Sequence, residues 1–261
     1  MSFDYLNITA KDHIYTVELA RPEVLNAINQ QMHDELQQAF DDFASNDDLY
    51  IAVVKGAGER AFSAGSDLKA IAKAGKPNTY PESGYAGLIE RFDLSKPIIA
   101  AVDGVAVGGG FEVALACDIL IATTRSRFGL PEPKIGAIAL GGGVHRLARQ
   151  IGLKKAMGLI LSADIIDASE GDRLGFITEL VEPEQLEACV EKWCDRILAC
   201  APLAIRASKE TVMRGLDEPS LEAAMSAQED YPSFKAFYSS QDRHEGALAF
   251  AEKRPPNWRG K

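Results

Sequence analysis

The chain is poor in cysteine, short of positive charge and without any long apolar run, and each shortage removes a class of protein. Its 261 residues contain four cysteines, Cys117, Cys189, Cys194 and Cys200, with no Cys-x-x-Cys pair. That spacing suggests neither a zinc site nor a disulfide framework. Three of the four fall in one expected helix, and the set reads as buried free thiols of a reducing compartment. His13, His33, His145 and His244 are far apart in sequence, so no metal site is expected. No stretch approaches the roughly 18 apolar residues of a spanning helix. The N-terminal residues lack the basic and apolar regions of a secretory signal, and Trp258-Arg259-Gly260-Lys261 matches no lipidation or peroxisomal signal. The expected setting is cytoplasmic, away from membranes. Lys and Arg number 28 against 38 Asp and Glu, for a net charge of −10. Summed repulsion of that sign opposes a polyanion, so nucleic acid is not an expected partner.

What is present is an ordinary globular composition, 46% hydrophobic and 25% charged. Ile14, Val17 and Leu19 suggest a hairpin over residues 3–20. Asn29 precedes a helical pattern through Met32, Leu36, Phe40 and Phe43. Three short apolar runs, Ile51–Val54, Ile98–Val102 and Ile119–Ala122, read as buried strands alternating with helices, an α/β layer structure. Lys73 to Gly84, with two glycines and two prolines, reads as a mobile loop of the kind that covers binding sites. From about Pro183 the pattern becomes helical to the end. The expected division is a core over residues 1–195 and a helical region over 196–261.

Two glycine-bearing turns carry the chemistry. Ser63-Ala64-Gly65-Ser66-Asp67 and Gly108-Gly109-Gly110-Phe111-Glu112 each lie between a buried strand and a helix. Glycine lets backbone come close to a ligand, and a helix N-terminus offers free N–H donors. Each turn also has a plain structural reading: Asp67 as a helix cap, and Glu112 as a charge compensating the helix dipole. A second carboxylate, Glu132, lies between Pro131 and Pro133, which restrict its backbone. Donors at one oxygen and two carboxylates nearby would suit a thioester enolate with acid–base chemistry at the adjacent carbons.

With these motifs the chain resembles the crotonase (enoyl-CoA hydratase/isomerase) family over essentially its whole length. The resemblance rests on Leu19-Ala20-Arg21-Pro22 with Leu25-Asn26-Ala27, on Ala61 through Lys69, and on Ser95 through Gly104. It continues through Gly108–Glu112, Phe128-Gly129-Leu130-Pro131-Glu132 and Glu245–Arg254. It implies a spiral of ββα units, a C-terminal helical region that builds trimers or dimers of trimers, and an acyl-CoA substrate. No cofactor is implied beyond the CoA that the substrate carries. The backbone N–H groups of Ser66 and Gly109 would form the oxyanion hole, with Glu112 and Glu132 as the catalytic pair. Ala27, Ala64, Asp67, Leu68, Leu140 and Gly141 would line the substrate. Members retaining both glutamates hydrate, so enoyl-CoA hydration is the leading expectation.

Leu140 stands where many relatives have glycine or aspartate, and a leucine facing the pocket would narrow and dry it. Tyr231-Pro232-Ser233 and Leu248–Arg254 resemble the carnitinyl-CoA dehydratase branch, although Ser66 lacks the bulky aromatic associated with it. Phe92, Tyr85 and Tyr80 are aromatic candidates for a cationic acyl group. Carnitinyl-CoA dehydration, enoyl-CoA isomerisation and acyl-CoA binding without turnover remain the alternatives.

Overall fold

The computed structural model describes residues 3–261. The chain opens with the hairpin β1 (Leu6–Lys11) and β2 (Ile14–Leu19), followed by α1 (Gln30–Ser45), whose first turn is capped by Asn29 accepting from Met32 N–H at 2.9 Å. A repeated unit of long strand, three-residue strand and helix then begins. Its first turn is β3 (Ile51–Gly56), β4 (Ala61–Ser63) and α2 (Leu68–Ala74). The second is β5 (Ile98–Val102), β6 (Val105–Val107) and α3 (Gly109–Ala116), and the third is β7 (Ile119–Thr123), β8 (Arg127–Gly129) and α4 (Gly143–Ile151). After α5 (Leu153–Ser162), β9 (Ile165–Asp167), α6 (Ala168–Leu174) and β10 (Glu179–Val181), five helices complete the chain. These are α7 (Leu186–Leu198), α8 (Pro202–Gly215), α9 (Leu221–Ala227), α10 (Pro232–Tyr238) and α11 (Gln241–Glu252).

The long strands form one sheet in the order β1-β2-β3-β5-β7-β10, and the short strands form a second in the order β4-β6-β8-β9. Among the described residues only β1/β2 and β8/β9 pair antiparallel. The result is the expected spiral of ββα turns. The long strands read as unbroken apolar runs because both their faces are covered. Ala52, Val54, Ala100, Val102 and Ala122 face the main core with Phe40, Phe43 and Phe62. Ile51, Val53, Ile99, Ala101 and Ile121 face the other way, onto Leu186, Cys189, Val190 and Cys194 of α7. α7 thus crosses residue 195 while its apolar face closes the outer side of the sheet.

The thiols differ from expectation at one position. Cys117, Cys189 and Cys194 are buried, but Cys200 lies two residues beyond the end of α7 and is exposed. The helix ends earlier because Pro202 starts α8, and a proline disfavours helical backbone in the residue before it. The loop from Gly75 to Gly84 is tied at two points: Gln30 holds Thr79, and Gln37 accepts the Ser83 N–H at 3.0 Å. No helix among the described residues is long and apolar enough to cross a membrane.

Candidate active site

The first donor turn is fixed by a knot of buried polar groups. Leu25 and Asn26 take left-handed φ values of 58° and 52°, which turns the chain back under β4. Asn26, wholly buried, donates to Ala57 O and Ala61 O at 3.0 and 2.8 Å and accepts the Arg21 N–H. Ser63 Oγ donates to Asn26 O at 2.8 Å and accepts the Gly65 N–H at 3.1 Å. Ile28 N–H donates to Gly65 O and Asp67 N–H to Ile28 O, a strand-like pairing that uses the atoms on either side of Ser66. In such a bridge the middle residue points its own N–H the other way.

The first turn packs directly on the second. A Cβ on Gly65, itself at φ 80°, would lie 2.8 Å from Gly109 N and 2.9 Å from Val107 O. Gly109 is the first residue of α3, so its N–H has no acceptor within the helix. The two turns, more than forty residues apart, therefore meet backbone to backbone. Neither glycine tolerates a side chain: on Gly109 a Cβ would overlap the end of the Tyr85 ring, and on Gly110 it would overlap Ser63 O.

Both carboxylates adjoin this junction. A Cβ on Gly108 would sit 3.0 Å from Glu132 Oε1, and one on Gly141 would overlap Glu112 Oε2. Glu112, 3% exposed, accepts the Gly143 N–H at 2.9 Å where α4 begins. Burial pushes its carboxyl up to about 7, with the Glu132 charge adding to the rise, while the Gly143 N–H and Arg146 oppose it. Glu132 starts a short 3-10 turn through Ile135, and burial raises its carboxyl too. Its Oε1 is the oxygen nearer Gly108, and its Oε2 is buried without a hydrogen-bond partner. Two acids raised toward neutrality are suited to give and take protons.

The structure thus brings Ser66, Gly109, Glu112, Glu132 and Gly141 together. Ala27 and Ala64 belong to the first turn, Ala27 O accepting from Arg21 and Ala64 N–H donating to Leu25 O. Asp67 is nearby but already engaged. Oδ1 caps α2 through the Ala70 N–H, and Oδ2 pairs with Arg21 at 3.0 Å. Leu68 and Leu140 lie 52% and 75% exposed, the latter beside exposed Ile135 and Ile138, so neither forms part of the buried junction. Arg21, Asn26 and Ser63 hold the donors in place; their burial as polar residues becomes visible only once distant backbone carbonyls are located. A cavity of about 210 Å³, lined by Cys117, Asp118, Gln150 and Phe176 among others, lies at the far end of α3 and touches none of these site residues. Among the described residues no cluster of His, Cys, Asp and Glu could hold a metal ion.

Residues 9–261 match the enoyl-CoA hydratase/isomerase family. A carnitinyl-CoA dehydratase of Proteus mirabilis is 37% identical over 259 residues, covering 98% of both chains. An (E)-benzylidenesuccinyl-CoA hydratase of Thauera aromatica is 34% identical, covering 98% of this chain and 99% of the relative. Among solved structures, an enoyl-CoA hydratase of Mycobacterium tuberculosis superposes with a TM-score of 0.91 at 35% identity, covering 98% of this chain and 99% of that one.

Proposed function

The chain belongs to the enoyl-CoA hydratase/isomerase family, and from that membership we propose that it adds water reversibly across the 2,3 double bond of an enoyl-CoA thioester. The product is a 3-hydroxyacyl-CoA. The observation that carries this reading is the meeting of Gly65 with Gly109 N, with Glu132 against Gly108 and Glu112 beneath Gly141 and Gly143. The Ser66 and Gly109 N–H groups receive the thioester oxygen and stabilise the enolate, each contributing about 3 kcal/mol to the barrier. Glu112 takes a proton from the water that attacks the β-carbon. Glu132 gives a proton to the α-carbon, closing the addition. With Glu112 titrating at about 7, both its charged and its neutral form are populated at neutral pH, which suits a reaction run in either direction.

The acyl group has a second reading. Relatives 37–38% identical over nearly the whole chain are named carnitinyl-CoA dehydratase, and the exposed Tyr80 ring lies edge-on to Tyr85 at 5.5 Å, near the Glu112 charge. The open face of the Tyr80 ring, with a carboxylate nearby, suits a quaternary ammonium group. The proton chemistry is unchanged, since dehydration of a 3-hydroxyacyl-CoA is the same path in reverse. Assembly into trimers is part of the proposal. Leu153, Met157 and Leu161 form an exposed stripe on α5, and Val212 of α8, Leu216 just beyond it, and Leu221 and Met225 of α9 are exposed as well, apolar surface that a partner subunit would cover.

The test is loss of enoyl-thioester absorbance with crotonyl-CoA, crotonobetainyl-CoA and a phenyl-substituted enoyl-CoA, in wild type and Glu112→Gln. Turnover in wild type and its near absence in the variant supports hydration. Double-bond migration that survives Glu112→Gln makes the protein an isomerase. Binding of acyl-CoA with no turnover of any substrate ends the hydratase reading.

A further inference from the structure

Tyr85 is buried beneath both donor turns. A Cβ on Gly109 would overlap its Cζ and Oη, so the polar end of the phenol rests on the Cα of the residue that opens α3. Ser66 Oγ donates to the same Oη at 3.3 Å. One phenol oxygen therefore touches both residues whose N–H groups meet at the junction. Having accepted from Ser66, Oη still carries a proton of its own to donate. Burial, with Glu112 and Glu132 close by, holds the phenol far above its usual range, so that proton stays on.

The backbone around Tyr85 is held in an unusual shape that keeps the ring there. Tyr85–Gly87 is a 3-10 turn in which Ala86 takes φ 56° and ψ 20°, a left-handed conformation that a non-glycine residue adopts under constraint. The constraints are identifiable. His33 Nδ1 accepts the Ala86 N–H at 3.0 Å, Arg91 Nε donates to Gly87 O at 2.7 Å, and Arg146 Nη2 donates to Ile89 O at 2.6 Å. His33, kept neutral by burial that takes it down to about 4, packs edge-on to the phenol at 4.6 Å. Plain packing needs no such arrangement, because a phenylalanine would fill the same space without bringing a polar atom.

We infer that the Tyr85 hydroxyl is a third donor to the thioester oxygen of the substrate, beside the N–H groups of Ser66 and Gly109, and that its hydrogen bond strengthens as the enolate forms. The hydroxyl keeps its proton throughout. This rests on the acyl-CoA reading above, and the experiment separates the two. Tyr85→Phe removes one oxygen and leaves the ring against Gly109. The bound enolate of acetoacetyl-CoA, read by its near-ultraviolet absorbance at fixed pH, is the direct probe, and saturated butyryl-CoA is the control that forms no enolate.

The expected result is a roughly 10–100-fold loss of enolate affinity and of kcat in Tyr85→Phe, with butyryl-CoA binding and KM changed by about twofold or less. Ser66→Ala, which removes the hydroxyl that donates to the phenol without touching the ring, should weaken the enolate by a smaller factor. Equal enolate affinity and kcat in wild type and Tyr85→Phe overturn the inference. So does a proportional loss of butyryl-CoA, which marks the residue as packing alone. A wild type that stabilises the enolate but hydrates nothing sinks the hydratase reading while leaving the Tyr85 comparison intact. Wild type that binds neither ligand overturns both.

Discussion

Replacing Glu112 by glutamine should make the protein more stable as it makes it inactive, and only above a definite pH. Glu112 is 3% exposed, and its carboxyl rises from an ordinary 4.5 to about 7. A raised carboxyl means that the native state binds its proton more tightly than the unfolded chain does. Below about pH 4.5 the group is protonated in both states and contributes no difference. As pH climbs from 4.5 to 7 the unfolded chain loses the proton first, and stability falls with each step. Above about 7 the loss is complete, at roughly 3 kcal/mol.

Glutamine escapes that loss because it carries no charge, and its amide oxygen can still accept the Gly143 N–H now held at 2.9 Å. The opposing field of Arg146 is already contained in the net rise, so the gain at pH 8 should be about 3 kcal/mol, or roughly 6–12 °C in Tm for a chain of this size. His33, depressed to about 4, also titrates on unfolding, but it does so in both proteins and cancels in the difference. Thermal melts of wild type and Glu112→Gln at intervals from pH 5 to 8.5 are the assay. A Tm difference that stays flat over this range, or that favours wild type at pH 8, would refute the argument that Glu112 is a charge held in the interior at a cost to stability.

Gly141→Ala should reduce kcat about a hundredfold while moving KM far less, because the new methyl must push the Glu112 carboxylate off its position and a displacement near 1 Å is enough for such a loss; steady-state kinetics on the substrate turned over best would check it. Arg21→Ala should cost roughly 3–5 kcal/mol, since it leaves Asp67 charged and nearly buried without its partner; urea denaturation would measure it, and a cost below about 1 kcal/mol would mean that the pair is solvated.

The fold was readable where the sequence repeated one physical pattern. Ile51–Val54, Ile98–Val102 and Ile119–Ala122 stand out because strands covered on both faces need an apolar residue at every position. The partners β4, β6 and β8 are three residues each, too short to display a period, and they were legible only through the family resemblance. The same limit hid the knot around Asn26. Its acceptors, Ala57 O and Ala61 O, lie 31 and 35 residues away, and a left-handed asparagine leaves no local mark on the sequence. Glu112 and Glu132 could be named because each follows a glycine or proline signal, whereas Tyr85 was named only with Tyr80 and Phe92 as an aromatic near the loop, with nothing local to mark its contact with Ser66 and Gly109. Leu140, expected to line the substrate, lies mostly exposed in the isolated chain.

The unequal legibility of family and reaction has one physical cause. The donors at the junction are backbone N–H groups, so the features that sequence must supply are glycines that allow approach and polar residues that hold the turns. Those features survive any change of substrate. Both carboxylates are likewise indifferent to the acyl group, because water addition to a plain enoyl-CoA and water loss from a carnitinyl-CoA use the same two proton positions. What distinguishes one substrate from another must be side chains that face the acyl group beyond its β-carbon. In this chain His33, Tyr80 and Tyr85 form an aromatic cluster, its ring centroids 4.6–5.5 Å apart. Tyr85 meets Ser66 and Gly109, while Tyr80 opens to solvent. Given the proposed oxyanion site, this cluster runs from it toward solvent, and substitutions at Tyr80 should alter which acyl-CoA is accepted without altering the proton chemistry.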